Sequence, residues 1–328
     1  MRTAPKTLFT CVATLTLLCA SILAQAAGFQ FLEVPADSKG PALKGAVWYP
    51  CAEPAGQISL GQMQLPGTQN CAIKGQNLPL VVVSHGSGGS FVGHHDTAEA
   101  LADAGFVVAA ISHPGDNFQD LSRQGHLSAF LTRPVDMQRL VDYMTAQWPS
   151  HTALNPRAIG FFGFSRGGYT GLVAGGAVPD FTVGLGLCKH VDFPMCQEMA
   201  AKDLPASPTS DPRVKAAVIA DPLSLFSAAS LKTVRIPVQL WSSALGGDGV
   251  TLASVEAVRN GLPNMAQYHV AEHAGHFAYL APCSAAQMQA LPAICKDPAD
   301  FDRVAFHTQF NAKVLAFFQA QLAPSATH

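Results

Sequence analysis

Charge is scarce in this chain: Asp, Glu, Lys and Arg make up only 13% of its 328 residues, and no basic stripe runs along any segment. Nucleic acid is thereby set aside as a partner, because such binding needs clustered cations. No C-x2-C pair occurs, so a zinc site has no ligand spacing to build on. His94-His95-Asp96 reads as a solvated helix start rather than a metal cluster. The G-x-x-x-x-G-K signature is missing as well, which removes the phosphate-cradle reading of the glycine-rich stretch at 84–89. Beyond residue 26 no apolar run is long enough to span a bilayer.

What is present starts with the N-terminus. Arg2 and Lys6 precede the mostly apolar run Leu8 to Leu23, and Ala24-Gln25-Ala26 offers a small-x-small cleavage site. Residues 1–26 therefore read as an export signal, with the mature chain starting near Ala27 and no stable membrane anchor. Leu17-Leu18 before Cys19 argues against a lipid-anchored cysteine. The expected location is periplasmic or secreted. Removing the signal shifts the net charge from −2 to −4, and takes away Cys11 and Cys19. Six cysteines remain, an even number that suits an oxidising compartment. Proximity along the chain pairs Cys51 with Cys71, Cys188 with Cys196 and Cys283 with Cys295, although spacing alone does not decide connectivity.

A hydrophobic content of 48% against so little charge indicates a large buried core, and residues 27–328 read as one α/β domain. Two early strands, 29–34 and 44–49, flank the turn residues 37–40, and 51–77 reads as loop. Strands are expected at 78–84, 106–111, 158–164, 214–220, 236–241 and 267–270. Helices are expected at 97–104, 134–148, from Gly167, at 251–261 and at 301–322. Strands that are apolar throughout fit a sheet covered on both faces, and the β-α alternation fits a mostly parallel, doubly wound sheet. The alternation stops between 180 and 212, a stretch with Pro194, Pro205, Pro208 and Pro212 that reads as an inserted, lid-like segment.

The chemistry centres on Gly163-Phe164-Ser165-Arg166-Gly167-Gly168, between an apolar strand and a small-residue helix. This is a nucleophile elbow: a sharp strand-to-helix turn projects the Ser165 hydroxyl and aims the Arg166 N–H at an attacked carbonyl. Strand 78–84 runs into Ser84-His85-Gly86-Ser87-Gly88-Gly89, where the Ser87 N–H would be the second oxyanion donor and His85 would brace the loop. The general base is expected at His276, in Gly275-His276-Phe277 beyond the last strand, with His273 as the near alternative. Two acids compete, Asp221 after strand 214–220 and Asp248 in Gly247-Asp248-Gly249. No cofactor and no metal are called for.

These segments resemble serine hydrolases of the α/β-hydrolase fold, and within them the bacterial relatives of platelet-activating-factor acetylhydrolases and predicted dienelactone hydrolases. The resemblance covers roughly 78–283. It implies ester hydrolysis, a small-molecule ester substrate, and an acid at the position of Asp221. Dienelactone hydrolases themselves use cysteine where this chain has Ser165. A peptidase or amidase of the same fold, or an inert binding protein on that scaffold, are the rival readings.

Overall fold

The computed structural model describes residues 25–322, apart from 55, 62, 185–187, 189–193, 202–207, 209 and 264–266; the expected leader lies almost wholly outside them. The described strands are β1 (Gln25–Val34), β2 (Leu43–Pro54), β3 (Gly56–Leu60), β4 (Met63–Gln69), β5 (Leu78–Ser84), β6 (Val107–Ser112), β7 (Leu154–Phe164), β8 (Val214–Ala220), β9 (Val238–Ser243) and β10 (Gln267–Ala271). The described helices are α1 (His95–Asp103), α2 (Leu127–Ala146), α3 (Arg166–Ala174), α4 (Phe181–Gly184), α5 (Pro194–Ala200), α6 (Ala228–Leu231), α7 (Leu252–Gly261), α8 (Ala285–Ala290), α9 (Pro292–Cys295) and α10 (Arg303–Leu322).

All ten strands join one sheet in the order β10-β9-β8-β7-β5-β6-β2-β1-β4-β3. From β10 to β6 neighbouring strands are parallel, whereas β2 joins β6 antiparallel. β5 has β6 on one side and β7 on the other, so the strand order reverses there, and the loops leaving β5 and β7 border one crevice. Each central strand is buried on both faces, which is why Leu78-Pro79-Leu80-Val81-Val82-Val83 shows no alternation. On one face α2 and α3 supply Leu140, Met144, Tyr169 and Leu172 to the core. On the other, α1 and α10 supply Leu101, Phe310, Val314 and Phe318.

Three expectations need correction. Residues 51–77 are not simply loop, because β3 and β4 form a hairpin, with Ile58 opposite Leu65 and both buried. Gly61, at φ +63°, turns this hairpin, and its glycines and prolines hid the inward alternation. α2 begins at Leu127 rather than 134, so Pro134 lies inside it. A proline normally marks a first turn, but here the preceding turns are held by the buried Phe130 and Arg133. β9 runs Val238–Ser243, two residues later than expected, which places Ser243 in the strand.

The described parts of the 180–212 insertion are anchored. Phe181, Met195 and Met199 are buried in the core, the Met195 N–H donates to the Gly125 carbonyl at 2.8 Å, and Glu198 accepts from the Leu127 N–H at 2.7 Å. The insertion thus packs against the start of α2 and against Leu225 beyond β8. Disulfides join Cys51 to Cys71, Cys188 to Cys196 and Cys283 to Cys295, bridges that suit an oxidising compartment. Among the described residues no helix is long and apolar enough to cross a membrane.

Candidate active site

Ser165 sits between β7 and α3 at φ 55° and ψ −117°, a left-handed conformation that costs a non-glycine residue energy and persists only where its surroundings enforce it. Here they do. The Ser165 N–H donates to the Ala220 carbonyl at 3.0 Å, and its carbonyl accepts from the Tyr169 and Leu223 N–H groups at 3.1 and 3.0 Å. A side chain at Gly163 would strike the Gly167 backbone, and one at Gly167 would strike the Ser84 carbonyl. Both glycines are therefore steric requirements of the turn.

His276 opens a short 3-10 turn (His276–Tyr279) beyond β10. Its ring lies 4.7 Å from that of Phe164, the residue before the serine, which brings the imidazole to the elbow. The Nδ1–H donates to Asp221 Oδ2 at 2.7 Å, since a carboxylate can only accept. This fixes the tautomer that leaves Nε2 as the basic nitrogen, and Nε2 is buried with no hydrogen-bond partner among the described residues. A base so arranged is set to take a hydroxyl proton.

Asp221 is fully buried, at φ 44°. Besides His276 it accepts from the Ser243 N–H on Oδ1 at 2.8 Å and from the Ser243 hydroxyl on Oδ2 at 2.5 Å. Both Ser243 donors compensate the desolvation of the carboxylate. Next to it the Tyr279 phenol is pushed well above its ordinary pKa, first by burial and then by the Asp221 charge.

Asp248 does not join this group. It is an exposed residue at φ 49° in the turn closed by Gly247 and Val250, and its loop supports His276 through the Gly246 carbonyl, which accepts from the His276 N–H at 2.8 Å. His273 points elsewhere too, pairing with Asp300 at 2.6 Å on the surface. Of the His94-His95-Asp96 run, His94 is buried against Phe162 and Phe164, with its pKa pushed down by burial to about 4. His95 pairs with Glu99, and Asp96 with His307.

The loop after β5 carries the second expected donor. Arg166 occupies the first turn of α3, where a backbone N–H has no intrahelical partner. Ser87 and Gly88 lie in a turn, with the Gly89 N–H donating to the Gly86 carbonyl at 3.3 Å. An ideal side chain at Gly86 would come within 3.3 Å of Ser165 Cβ, so this loop crosses directly over the elbow. His85 accepts on Nε2 from the His113 N–H at 3.1 Å and donates from Nδ1 to the Gly86 carbonyl at 2.6 Å, which makes it a neutral brace of the loop. Burial, then the Arg133 charge, holds its pKa well below the ordinary value.

Sequence reasoning missed Ser243, Asp116 and Arg133. Asp116, in the loop after β6, receives Arg133 Nε at 2.8 Å and Arg166 Nη1 at 2.7 Å on one oxygen, and the Gly88 N–H at 3.3 Å on the other. Burial opposes its ionisation, but the Arg133 and Arg166 charges outweigh that and hold its pKa down at about 2. Gly-Asp in Pro114-Gly115-Asp116 looks like ordinary turn chemistry, and an arginine in an amphipathic helix looks like a solvated face; neither carries a local signal of burial.

Comparison with known proteins bears on the fold and on one segment of the chain. Residues 47–120 match the family model of platelet-activating factor acetylhydrolase, isoform II, a span that takes in the loop after β5 and Asp116 but ends before Ser165. A ferulic acid esterase from Streptomyces cinnamoneus is similar in structure, with a TM-score of 0.62 and 17% sequence identity over 94% of this chain and 96% of that chain. No curated protein matches the sequence. At that identity the likeness shows the fold: this is an α/β-hydrolase fold, with a segment resembling the acetylhydrolases.

Proposed function

We propose that this protein is an exported serine esterase that hydrolyses carboxylic esters through an acyl-enzyme. The observation that carries the reading is the His276–Asp221 pair, buried and hydrogen-bonded at 2.7 Å, beside a serine on a strained elbow. Ser165 would attack the ester carbonyl while His276 Nε2 takes its proton. The tetrahedral oxyanion would be held by the Ser87 and Arg166 N–H groups, and His276 would return the proton to the leaving alcohol. Water would then repeat the sequence to release the acid. Asp221 would orient the imidazole and stabilise its cation. The acetylhydrolase match and the esterase neighbour support ester chemistry, and the disulfides support export.

For the substrate we favour a short acyl chain, because the described parts of the insertion are held by the core and by the Cys188–Cys196 bridge, which would resist displacement by a long chain. A groove of about 890 Å³, lined in part by Phe31, Met63, Phe91 and Phe118, follows the continuation of the loop after β5, but its lining includes neither Ser165 nor His276, so it carries no part of the substrate reading. The test is hydrolysis of p-nitrophenyl esters of graded chain length by wild type and Ser165→Ala. Turnover of the short esters is expected from wild type and should nearly vanish in the variant. Equal rates from both would overturn the assignment.

A further inference from the structure

The two groups that would bind the oxyanion lie on different elements, Ser87 on the loop after β5 and Arg166 on the first turn of α3. The pairing of β5 with β7 and the close packing of Gly86 and Gly167 bring the two segments together, but they do not fix which way each N–H points. A buried ionic cluster connects them. Arg133 is wholly buried inside α2; its Nη1 donates to the His85 carbonyl at 2.5 Å and its Nη2 to the Gly86 carbonyl at 3.0 Å. The Gly86 carbonyl also accepts from His85 Nδ1 and the Gly89 N–H. Every described peptide is trans, so the N–H of a peptide points opposite to its C=O. Pinning the Gly86 carbonyl on Arg133 therefore directs the Ser87 N–H away from α2. Asp116 closes the connection. It holds Arg133 and the Arg166 side chain on one oxygen, and the Gly88 N–H and, at 3.4 Å, the Ser87 hydroxyl on the other.

We propose that Asp116 and Arg133 are positioning residues that hold the two oxyanion donors in register, an inference that rests on the serine esterase reading above. A buried Arg–Asp–Arg cluster is an expensive way to gain stability, because desolvation consumes most of the Coulombic gain. Its placement between two donors that must be preorganised gives it a purpose that stability does not. The Arg166 guanidinium is further fixed over the Phe130 ring at 4.7 Å. Its side chain thus anchors the residue whose backbone supplies a donor.

The experiment compares wild type with Arg133→Lys, Arg133→Met and Arg166→Met. The last keeps the backbone N–H and alters a side chain nearer the surface, so it remains informative if the buried Arg133 variants fail to fold. Wild type is first labelled with a fluorophosphonate, and kcat, KM and the Ki of an alkyl boronic acid are then measured for each. The expected result is a kcat lowered about 10- to 100-fold with KM within about threefold, since misplacing a donor costs transition-state binding alone. Boronate Ki should rise by the factor by which kcat/KM falls. Arg133→Lys should not restore kcat, because a lysine keeps the charge but not the two-pronged geometry. In a labelled wild type, variants that lose only thermal stability while kcat and Ki stay put would overturn the positioning role and leave the esterase reading standing. A wild type that takes no label would overturn both.

Discussion

Asp221→Asn replaces one oxygen by an NH2 group, and the geometry sets what that does to turnover. Oδ1 accepts from the Ser243 N–H, while Oδ2 accepts from both the Ser243 hydroxyl and His276 Nδ1–H. An asparagine has one acceptor for these three donors. If its oxygen takes the Oδ1 place, the NH2 faces His276 and favours the tautomer with the proton on Nε2, which cannot accept one from Ser165. If its oxygen takes the Oδ2 place, the NH2 meets the Ser243 backbone N–H in a site with no exposure to water. The first outcome is the expected one, because it leaves the backbone bond intact. Turnover should then fall about 10⁴-fold, the cost of a wrong tautomer in this kind of triad. Stability should fall by about 1 to 3 kcal/mol for the buried donor left unsatisfied. Asp248→Asn is the control: on an exposed left-handed turn, where asparagine is well tolerated, it should stay within about 0.5 kcal/mol of wild type and about twofold in rate. The assay is kcat on a p-nitrophenyl ester, with a thermal melt of each variant. An Asp221→Asn protein that keeps more than about a tenth of wild-type kcat, far above the tautomer cost, would refute the reasoning. So would a loss of several orders confined to Asp248→Asn.

Ser243→Ala should cost about 2 kcal/mol of stability, the worth of a hydrogen bond to a buried charge. It should lower kcat much less than Asp221→Asn, because His276 keeps its carboxylate; urea melts and kcat values check both, and an undiminished stability would deny the serine its supporting role. Breaking the insertion's bridge with Cys188→Ser plus Cys196→Ser should loosen the insertion and broaden chain-length tolerance while the core stays folded. The measurement is the ratio of kcat/KM for butyrate and palmitate esters, and an unchanged ratio removes the insertion from the account. Asp116 and Asp96 both have pKa values depressed to about 2, so each adds stability that is present above the unfolded carboxyl pKa near 4 and lost as pH falls toward 2. Each contributes at most about 2 kcal/mol. Burial raises the Asp136 pKa to about 7, which acts in the opposite direction over this range, so the linkage is read from the difference: on going from pH 6 to pH 3 the urea midpoint of Asp116→Asn should lose less, or gain more, than that of wild type, and an equal change contradicts the linkage.

The elbow was legible because both glycines lie within two residues of Ser165, even though only Gly163 is demanded by a local contact, the Gly167 backbone, while Gly167 packs on the distant Ser84 carbonyl. The parallel sheet was legible for a related reason, since strands covered on both faces are written as unbroken apolar runs such as Val81-Val82-Val83. The acid was harder. Asp221 and Asp248 each follow a strand, and what separates them is which carboxylate a loop some fifty residues away folds back to meet; only the resemblance leaned toward Asp221. Ser243 was invisible because a serine closing a strand reads the same whether its hydroxyl is solvated or bonded to a buried acid. Arg133 was hidden by helical periodicity, which assigns arginine to solvent, and by Pro134, which moved the expected helix start past it. The hairpin of β3 and β4 was lost to Gly61 and Pro66, punctuation that reads as loop when the strands between are only five to seven residues long.

The central claim is that Ser165 is a nucleophile activated by His276. Intact-mass and peptide-mapping analysis after fluorophosphonate treatment tests it most directly. One adduct per chain is predicted, on the peptide carrying Ser165, absent from Ser165→Ala and formed far more slowly in His276→Ala. No adduct on wild type, or an adduct that maps to another residue and persists in Ser165→Ala, would contradict the account.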